Sequence, residues 1–482
     1  MGSHSALPLR LAAVVMVGAM VMAASAALAQ DAGGAAGAGA DTAGPRIDPE
    51  LLKLVPEELR YERVELPADQ NAASLLMELG DKVVVPEDPE EVHELWGVLR
   101  GEAPVEVDDL DGRVASLVQK NAEALALVKQ ALQKTKCQFP MLRTINDRCD
   151  YLGGLRSIVR IKCLHARVLA RHGEFASAAT ELKDSVVLAE LVKGGQGTLL
   201  TYLVGIASGA TAEGGIRWLA RQQGVPEDVL ERLLQSLRPA SETDQALATA
   251  LRIEFQLCYL QMLSDEPVPS AFYVAFDIDI PNDATNEQMA AMRVASDKLL
   301  DRAATVRTAS GFYVRAVRNA SLPWARQDAS IGADIEQMIK QMEDVHHAAL
   351  LHMSVKGDLQ EATEALSVFE NPVGRLYLES SLPLMDVPLR RSFQLRAERE
   401  MTRAFLVLRI RQLRSGAYTD SLDALVEEGI LPAVPTDPFS GKPLRYDAKR
   451  KLIWSVGPDG VDDNAESVPE DWRAEDYVIE LP

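Results

Sequence analysis

Apolar side chains recur at every third or fourth position through most of the chain after residue 112. This spacing places them on one face of an α-helix, and that face must be buried against a neighbouring element. Short connections separate the successive stretches, so we predict antiparallel helical hairpins. The first stretch carries the pattern at Val114, Leu117, Val118, Ala122, Leu125, Val128 and Leu132. Further helices are expected over 154–172, 176–192, 199–219, 226–237, 246–263, 289–306, 336–353, 359–368 and 389–413.

The hairpin around Gly173 has the small-residue spacing of a tetratricopeptide helix-turn-helix, in which Gly173 would end the first helix. One such period further along, the spacing does not return. A regular repeat array is therefore not supported. We predict a mainly α fold, an irregular array or bundle of helical hairpins that is tetratricopeptide-like at most locally, with a small C-terminal α+β module.

The composition divides the chain into five parts. An Ala/Gly-rich stretch without large apolar side chains predicts a disordered linker. In the segment that follows, 82–86 indicates one short strand or extended piece. The predicted parts are a signal peptide at 1–29, the linker at 30–48, a mixed segment at 49–112, an α-helical domain at 113–400 and the C-terminal module at 401–482.

The first part is typical of a secretory signal peptide. Arg10 precedes an apolar run over 11–29 that ends in Ala27-Leu28-Ala29, so cleavage is expected before Gln30. An uncleaved anchor is the alternative, because the run is about as long as a marginal membrane span. We therefore expect a periplasmic or secreted protein without an integral membrane span after leader removal, or else an N-terminally membrane-anchored one.

The charge is strongly acidic. The formal net charge is -21, and loss of Arg10 with the leader would leave -22. This balance disfavours nucleic acid and anionic membranes as partners and favours solubility. The expected partner is another protein of the cell envelope.

Four cysteines are present: Cys137, Cys149, Cys163 and Cys258. In an oxidising compartment Cys137 and Cys149 would close a short loop by a disulfide, which stabilises such a loop by roughly 2 to 3 kcal/mol. The alternative is four buried thiols. The spacings do not form a zinc-binding C-x-x-C pair.

No catalytic constellation is visible. The glycine-rich loop at 194–198 lacks the phosphate-binding spacing, and Ser208 lacks the nucleophile-elbow pattern. One group has the residue types of a metal site, but adjacent residues diverge by about 100° on a helix, so a solvated histidine face is preferred. That group comprises Glu343, Asp344, His346, His347 and His352.

Arginines form a row on the helix predicted at 154–172. Their spacings of four, seven and four align the guanidinium groups along one face. Two interpretations stand: a groove for an acidic partner, or internal salt bridges within this acidic protein, and the second is preferred. The row is Arg156, Arg160, Arg167 and Arg171, and a similar one contains Arg396, Arg399 and Arg403.

The last eighty residues read as a helix, a turn-rich loop and two short strands joined by a charged turn at 447–450. The segments Gly416-Ala417-Tyr418-Thr419-Asp420-Ser421-Leu422, Asp437-Pro438-Phe439-Ser440-Gly441-Lys442-Pro443-Leu444-Arg445-Tyr446 and Ser455-Val456-Gly457-Pro458-Asp459-Gly460 follow in order. They resemble the globular end of type II secretion major pseudopilins over about 403–464. The N-terminal assembly helix of that family is absent.

The pseudopilin resemblance implies calcium in the final loop, with Asp459, Asp462, Asp463 and Asn464 as ligands. Most of the mature chain also resembles uncharacterised secreted helical proteins of planctomycete-type bacteria, which supplies no activity. That second likeness is carried by 137–140, 197–207, 371–376 and the C-terminal segments. We expect an exported, non-enzymatic interaction protein; the alternatives are an envelope hydrolase with a site assembled from distant residues, and a pseudopilus-associated component.

Overall fold

The computed structural model describes residues 49–101, 108–142, 149–241, 243–259, 261–263, 294–295, 297–342, 344–345, 359–382, 385–466 and 476–482. Within these ranges the chain is mainly α-helical, with one small antiparallel sheet near the C-terminus, and this confirms the coarse fold prediction. No helix among the described residues is both long and apolar enough to cross a membrane. The predicted signal peptide and linker lie outside the described residues.

The helices of the first half follow one another closely in the chain. They are α1 (Pro49–Leu52), α2 (Ala73–Lys82), α3 (Pro89–Arg100), α4 (Leu110–Lys120), α5 (Ala122–Ala131), α6 (Tyr151–Arg171), α7 (Phe175–Lys193), α8 (Leu199–Ala220) and α9 (Glu227–Ser236).

The second half adds further helices and the sheet. Its helices are α10 (Gln245–Tyr259), α11 (Arg302–Ala320), α12 (Ile331–Lys340), α13 (Leu359–Leu366), α14 (Pro372–Ser381), α15 (Asp386–Ser415) and α16 (Leu422–Glu427). The strands are β1 (Arg445–Asp447), β2 (Leu452–Ser455) and β3 (Tyr477–Glu480).

The helix ends follow local chemistry. The carboxylates of Asp88 and Asp301 accept from backbone N–H groups of the first turns of α3 and α11, and the Ser421 hydroxyl does the same for α16. Gly173 and Gly416 follow α6 and α15 with a φ of 79° each, which is the left-handed conformation that glycine adopts without strain. Gly173 therefore has the conformation that its predicted role requires.

The periodic stretch at 114–132 is two helices rather than one, because the chain breaks at the buried residue Asn121. The Asn121 amide accepts from the backbone N–H of Val84 and donates to the Val84 carbonyl, both at 2.8 Å. Of the predicted segment 82–86, Lys82 ends helix α2 and Val83 is extended, and Val84 pairs with the Asn121 side chain and not with a strand.

Close helix packing requires glycine at one crossing. A Cβ on Gly154 of α6 would lie 2.1 Å from the carbonyl oxygen of Gly80 in α2. No side chain fits at that distance, so glycine at this position permits the two backbones to touch. A further close approach occurs between α7 and α8, where a Cβ on Gly205 would lie 2.5 Å from the Lys193 nitrogen.

Two large hydrophobic cores share helix α15, and a third, small cluster takes Phe393 and Ala397 from it. The first core joins α2 to α9 with the C-terminal module, and it takes Met401, Phe405 and Leu408 from α15. The second core joins the start of α8 with α10 to α14, and it takes Leu389 and Leu395 from α15. The boundary that we predicted at residue 400 therefore lies inside one continuous helix.

The C-terminal sheet has the antiparallel order β1-β2-β3. The predicted charged turn joins β1 to β2, with Tyr446 opposite Ile453, whereas strand β3 was not predicted. The buried Asp437 carboxylate organises the preceding loop: it accepts from the hydroxyl groups of Ser440 and Ser455, both at 2.7 Å. The aspartate of the Asp-Pro-aromatic segment therefore stabilises the fold of this loop through buried hydrogen bonds.

Candidate functional site

A cleft of about 520 Å³ lies where the two hydrophobic cores meet. Helices α7, α8 and α15 and the loop between α9 and α10 form its walls. A cleft of this size accommodates a ligand of a few hundred daltons or a short peptide segment. We call it the cationic cleft, because its lining includes five cationic side chains: Lys134, Lys193, Arg238, Arg396 and Arg399.

Among the residues that the structure describes, two carboxylates line the cationic cleft, Glu190 and Asp244, so the charge of this described lining is opposite to that of the chain. Lys193 and Arg399 both contact Glu190, at 2.9 and 2.8 Å. Arg238 is exposed and has no ion pair within the part of the chain that the structure describes. An anion entering the cleft would therefore meet a positive surface that includes the exposed guanidinium group of Arg238.

One wall of the cleft is apolar. Val186 and Val187 come from α7, Ile206 from α8 and Leu395 from α15. Such a wall can take the apolar part of a ligand while the cationic groups hold its charge. The lining thus suits a ligand that carries both an anionic and an apolar group.

The polar side chains at the floor of the cleft form hydrogen bonds that stabilise the fold. Asp244 caps α10 by accepting from the Leu247 N–H at 3.0 Å, and its other oxygen accepts from the hydroxyl groups of Tyr202 at 2.6 Å and Ser392 at 2.7 Å. Burial and the neighbouring carboxylate together raise the pKa of Tyr202 well above its ordinary value. Ser392 therefore donates to a carboxylate that Tyr202 and the first turn of α10 already engage, and among the described residues no histidine or cysteine lines the cleft.

Behind the cleft, Arg399 contacts a buried glutamate. Its Nε donates to Oε1 of Glu213 at 2.8 Å, and its Nη2 lies 2.7 Å from the same oxygen in an ion pair. Burial raises the pKa of the Glu213 carboxyl to about 7, although the Arg399 charge opposes this rise. For Arg399 itself, burial is outweighed by Glu213 and Glu190, which raise its pKa, so the guanidinium is charged at every accessible pH.

The arginine row on α6 does not act as one unit. Arg171 pairs with Asp111 at 3.0 Å, as the internal salt-bridge interpretation has it. Arg160 instead stacks over Trp96 with 5.3 Å between guanidinium carbon and ring centroid, and Arg167 stacks over Trp218 at 4.7 Å. Arg156 is exposed and has no ion pair among the described residues.

The four residues predicted to bind calcium lie together in the loop after β2. The Asp462 carboxylate accepts from Trp454 Nε1 and Arg445 Nε, each at 2.9 Å, so both of its oxygens are engaged. The exposed Asp459 accepts from the Val461 N–H. In the described part of the chain no group of three or more His, Cys, Asp or Glu residues forms a metal-binding set. Calcium binding at Asp459, Asp462, Asp463 and Asn464 stays a prediction.

Sequence reasoning did not find Asp476, which lies beside this loop. Its carboxylate is buried and accepts from the Ala465 N–H at 2.8 Å. Burial raises the pKa of Asp476 to about 6, and the charges of Asp462 and Asp463 add to that effect. The residue directly precedes β3, a strand that the pattern of apolar positions did not reveal.

Cys137 and Cys149 are both buried, and both are free thiols in this structure. Burial raises the pKa of Cys137 to about 12, so its thiolate is scarce at neutral pH. Both cysteines lie close enough to Tyr151 to raise the pKa of its hydroxyl. The Cys137–Cys149 disulfide stays a prediction. Of the proposed histidine cluster, His346, His347, His352 and Glu343 lie outside the described residues.

The cationic cleft was only partly foreseen. The second arginine row contributes Arg396 and Arg399, but Tyr202, Asp244 and Ser392 are far apart in sequence. The sequence does contain a signal for Glu213: it is the single acidic residue of α8, and it lies between the small residues Ala212 and Gly214. Comparison with protein-family models, with curated proteins and with solved structures gives no match for this chain.

Proposed function

We propose that the mature protein is an exported, non-enzymatic binding protein of the cell envelope, which takes an acidic segment of a partner protein into the cationic cleft. The observation that carries the proposal is a cleft with a positive lining in a chain whose formal net charge is -21. Positive side chains at the cleft repel a positively charged partner segment and attract an acidic one.

The apolar wall supports a peptide as the ligand. Acidic residues of a partner segment would contact Arg238 and Arg396, and its apolar side chains would pack on Val187 and Leu395. A hydrolase, our alternative, needs a nucleophile or a general base in the same cleft. Asp244, the carboxylate that Ser392 contacts, is already committed to the first turn of α10 and to the Tyr202 hydroxyl, and this favours binding over hydrolysis. The C-terminal module remains a proposed pseudopilin-like unit with a calcium site, and a pseudopilus-associated role is proposed with it.

The test is a titration with a rhodamine-labelled peptide of alternating leucine and glutamate, followed by fluorescence anisotropy. We expect binding that weakens with salt, and no binding of the matched leucine–lysine peptide. Arg238→Glu should weaken binding about tenfold, since it places a like charge against the ligand. Arg232→Glu is the control, because Arg232 is also exposed but pairs with Asp228 on α9, away from the cleft lining.

Equal binding of the two peptides, or equal effects of the two substitutions, would contradict the proposal. Turnover of ester or peptide substrates that is lost with Ser392→Ala would favour the hydrolase instead.

A further inference from the structure

Arg399 stands between the cationic cleft and a carboxylate that is closed off from water. Its Nε donates to Glu213 Oε1 at 2.8 Å, and its Nη2 donates to Glu190 Oε1 at 2.8 Å. Glu213 is completely buried, whereas Glu190 lines the cleft. The guanidinium group of Arg399 therefore contacts two carboxylates, one inside the core and one at the cleft surface.

The second oxygen of Glu213 is the unusual atom of this group. Oε2 is buried and has no hydrogen-bond partner among the described residues. An ionised carboxylate with an unsatisfied buried oxygen is unfavourable, and a proton on Oε2 removes the charge responsible for that cost. Burial accordingly raises the pKa of Glu213 to about 7.

Charged groups on three helices surround Glu213 and its partner Arg399. Arg399 and Glu398 lie on α15, Glu190 lies on α7, and Arg217 lies on α8 with Glu213 itself. The positive charges of Arg399 and Arg217 lower the pKa of Glu213, whereas Glu398 raises it. Arg217 is turned toward Thr402, to which it donates at 2.8 Å, so Arg399 is the direct partner.

We propose that the cationic cleft binds its anionic ligand together with one proton, which Glu213 takes up from solvent on binding and returns on release. The inference rests on the proposed function, since it needs an anion in the cleft. An anion that approaches Arg399 adds a third negative group to a guanidinium already shared by Glu190 and Glu213. Protonation of Glu213 removes one of these three negative charges, so that the Arg399 guanidinium is shared between Glu190 and the ligand alone.

The consequence is an affinity that depends on pH. Coulomb's law with an effective dielectric constant of about 20 predicts that ionised Glu213 weakens the binding of a nearby anion about tenfold. The affinity is therefore highest when Glu213 carries its proton, and it falls as the pH rises through about 7. Arginine and lysine keep their charge over this range, and the part of the lining that the structure describes contains no histidine.

The experiment measures the affinity of the leucine–glutamate peptide for the full chain at about pH 5.5 and about pH 8.5. We expect the wild-type affinity to fall about tenfold between the two. Glu213→Gln, which resembles the protonated acid, should bind equally at both. Glu398→Gln is the matched control: it removes a carboxylate of the same cluster that does not bond to Arg399, and it should keep the pH dependence.

Calorimetry of the wild type in two buffers of different ionisation enthalpy measures proton uptake without any substitution. Uptake near pH 7 together with a pH-independent Glu213→Gln supports the proposal. Peptide binding without uptake, or a Glu213→Gln variant that keeps the pH dependence, overturns it while the proposed function stands. Absence of peptide binding at both pH values overturns the proposed function, and this inference with it.

Discussion

Replacing Arg399 by methionine removes the guanidinium group that contacts both Glu213 and Glu190. The Arg399 side chain is 10% exposed and that of Glu213 is 0% exposed, so the pair lies in a medium that screens charge poorly. Methionine matches the length and apolar stem of arginine but leaves the Glu213 carboxyl without its hydrogen-bond donors. We expect the variant to fold with a large loss of stability.

The magnitude follows from burial. Removing one partner of a buried ion pair typically costs 3–5 kcal/mol, mainly because the remaining charge stays buried without compensation. Glu213 can reduce that cost by taking up a proton, since its pKa is already raised to about 7. The free energy of unfolding should therefore fall by roughly 3–5 kcal/mol at about pH 8, and by less at about pH 5.

The same helix provides a matched control in Arg414. It contacts Glu227 and Glu231 at 2.8 and 2.7 Å, distances equal to those around Arg399, but its side chain is 44% exposed. Exposed pairs of this kind contribute roughly 0–1 kcal/mol. Arg414→Met should therefore change the free energy of unfolding by less than about 1 kcal/mol.

The assay is urea unfolding of both variants and the wild type, followed by circular dichroism at 222 nm at the two pH values. Equal losses for Arg399→Met and Arg414→Met would refute the reasoning, since only burial distinguishes the two sites. A loss for Arg399→Met that is greater at pH 5 than at pH 8 would refute the role given to the Glu213 proton.

Three further predictions concern other groups. The folded pKa of Glu213 lies above its ordinary 4.5, so the stability that this group contributes is complete below pH 4.5 and is lost as the pH rises through about 7. Across that window the free energy of unfolding of the wild type should decline by roughly 3 kcal/mol, and Glu213→Gln should abolish the decline in thermal melts. A decline that Glu213→Gln leaves unchanged would count against this prediction. Asp437→Ala removes the acceptor of two buried hydroxyl groups and should destabilise the C-terminal module by roughly 2–4 kcal/mol, visible as a change in tryptophan fluorescence, whereas the exposed Asp459→Ala should not. Calcium should raise the melting temperature of the processed chain relative to chelator, with Asp463→Ala losing the effect; identical melts would remove the calcium prediction.

The sequence alone determined the helical character of the chain. Apolar side chains spaced by three and four residues have no way to leave water except on one face of a helix that packs against another. The ranges 154–172, 176–192 and 199–219 therefore match α6, α7 and α8 within a few residues. The turn at 447–450 was also legible, because its charged residues separate two runs of β-favouring side chains.

Tertiary structure decided what the periodicity does not encode. Helix α14 and strand β3 were missed, because a short element depends on its neighbours more than on its own pattern. The predicted boundary at residue 400 falls within α15, since a helix can serve two cores if its apolar face changes partners along its length.

The cationic cleft depends on the tertiary structure most of all. Tyr202, Asp244 and Ser392 meet only because α8, α10 and α15 pack together. A row of arginines on a helix predicts charge along one face, but it does not tell which carboxylates that face will meet. Arg399 meets a buried one and Arg414 meets exposed ones, although both lie on the same helix. The sequence fixes which side chains a helix carries, and the packing of the helices decides which of them lose their contact with water.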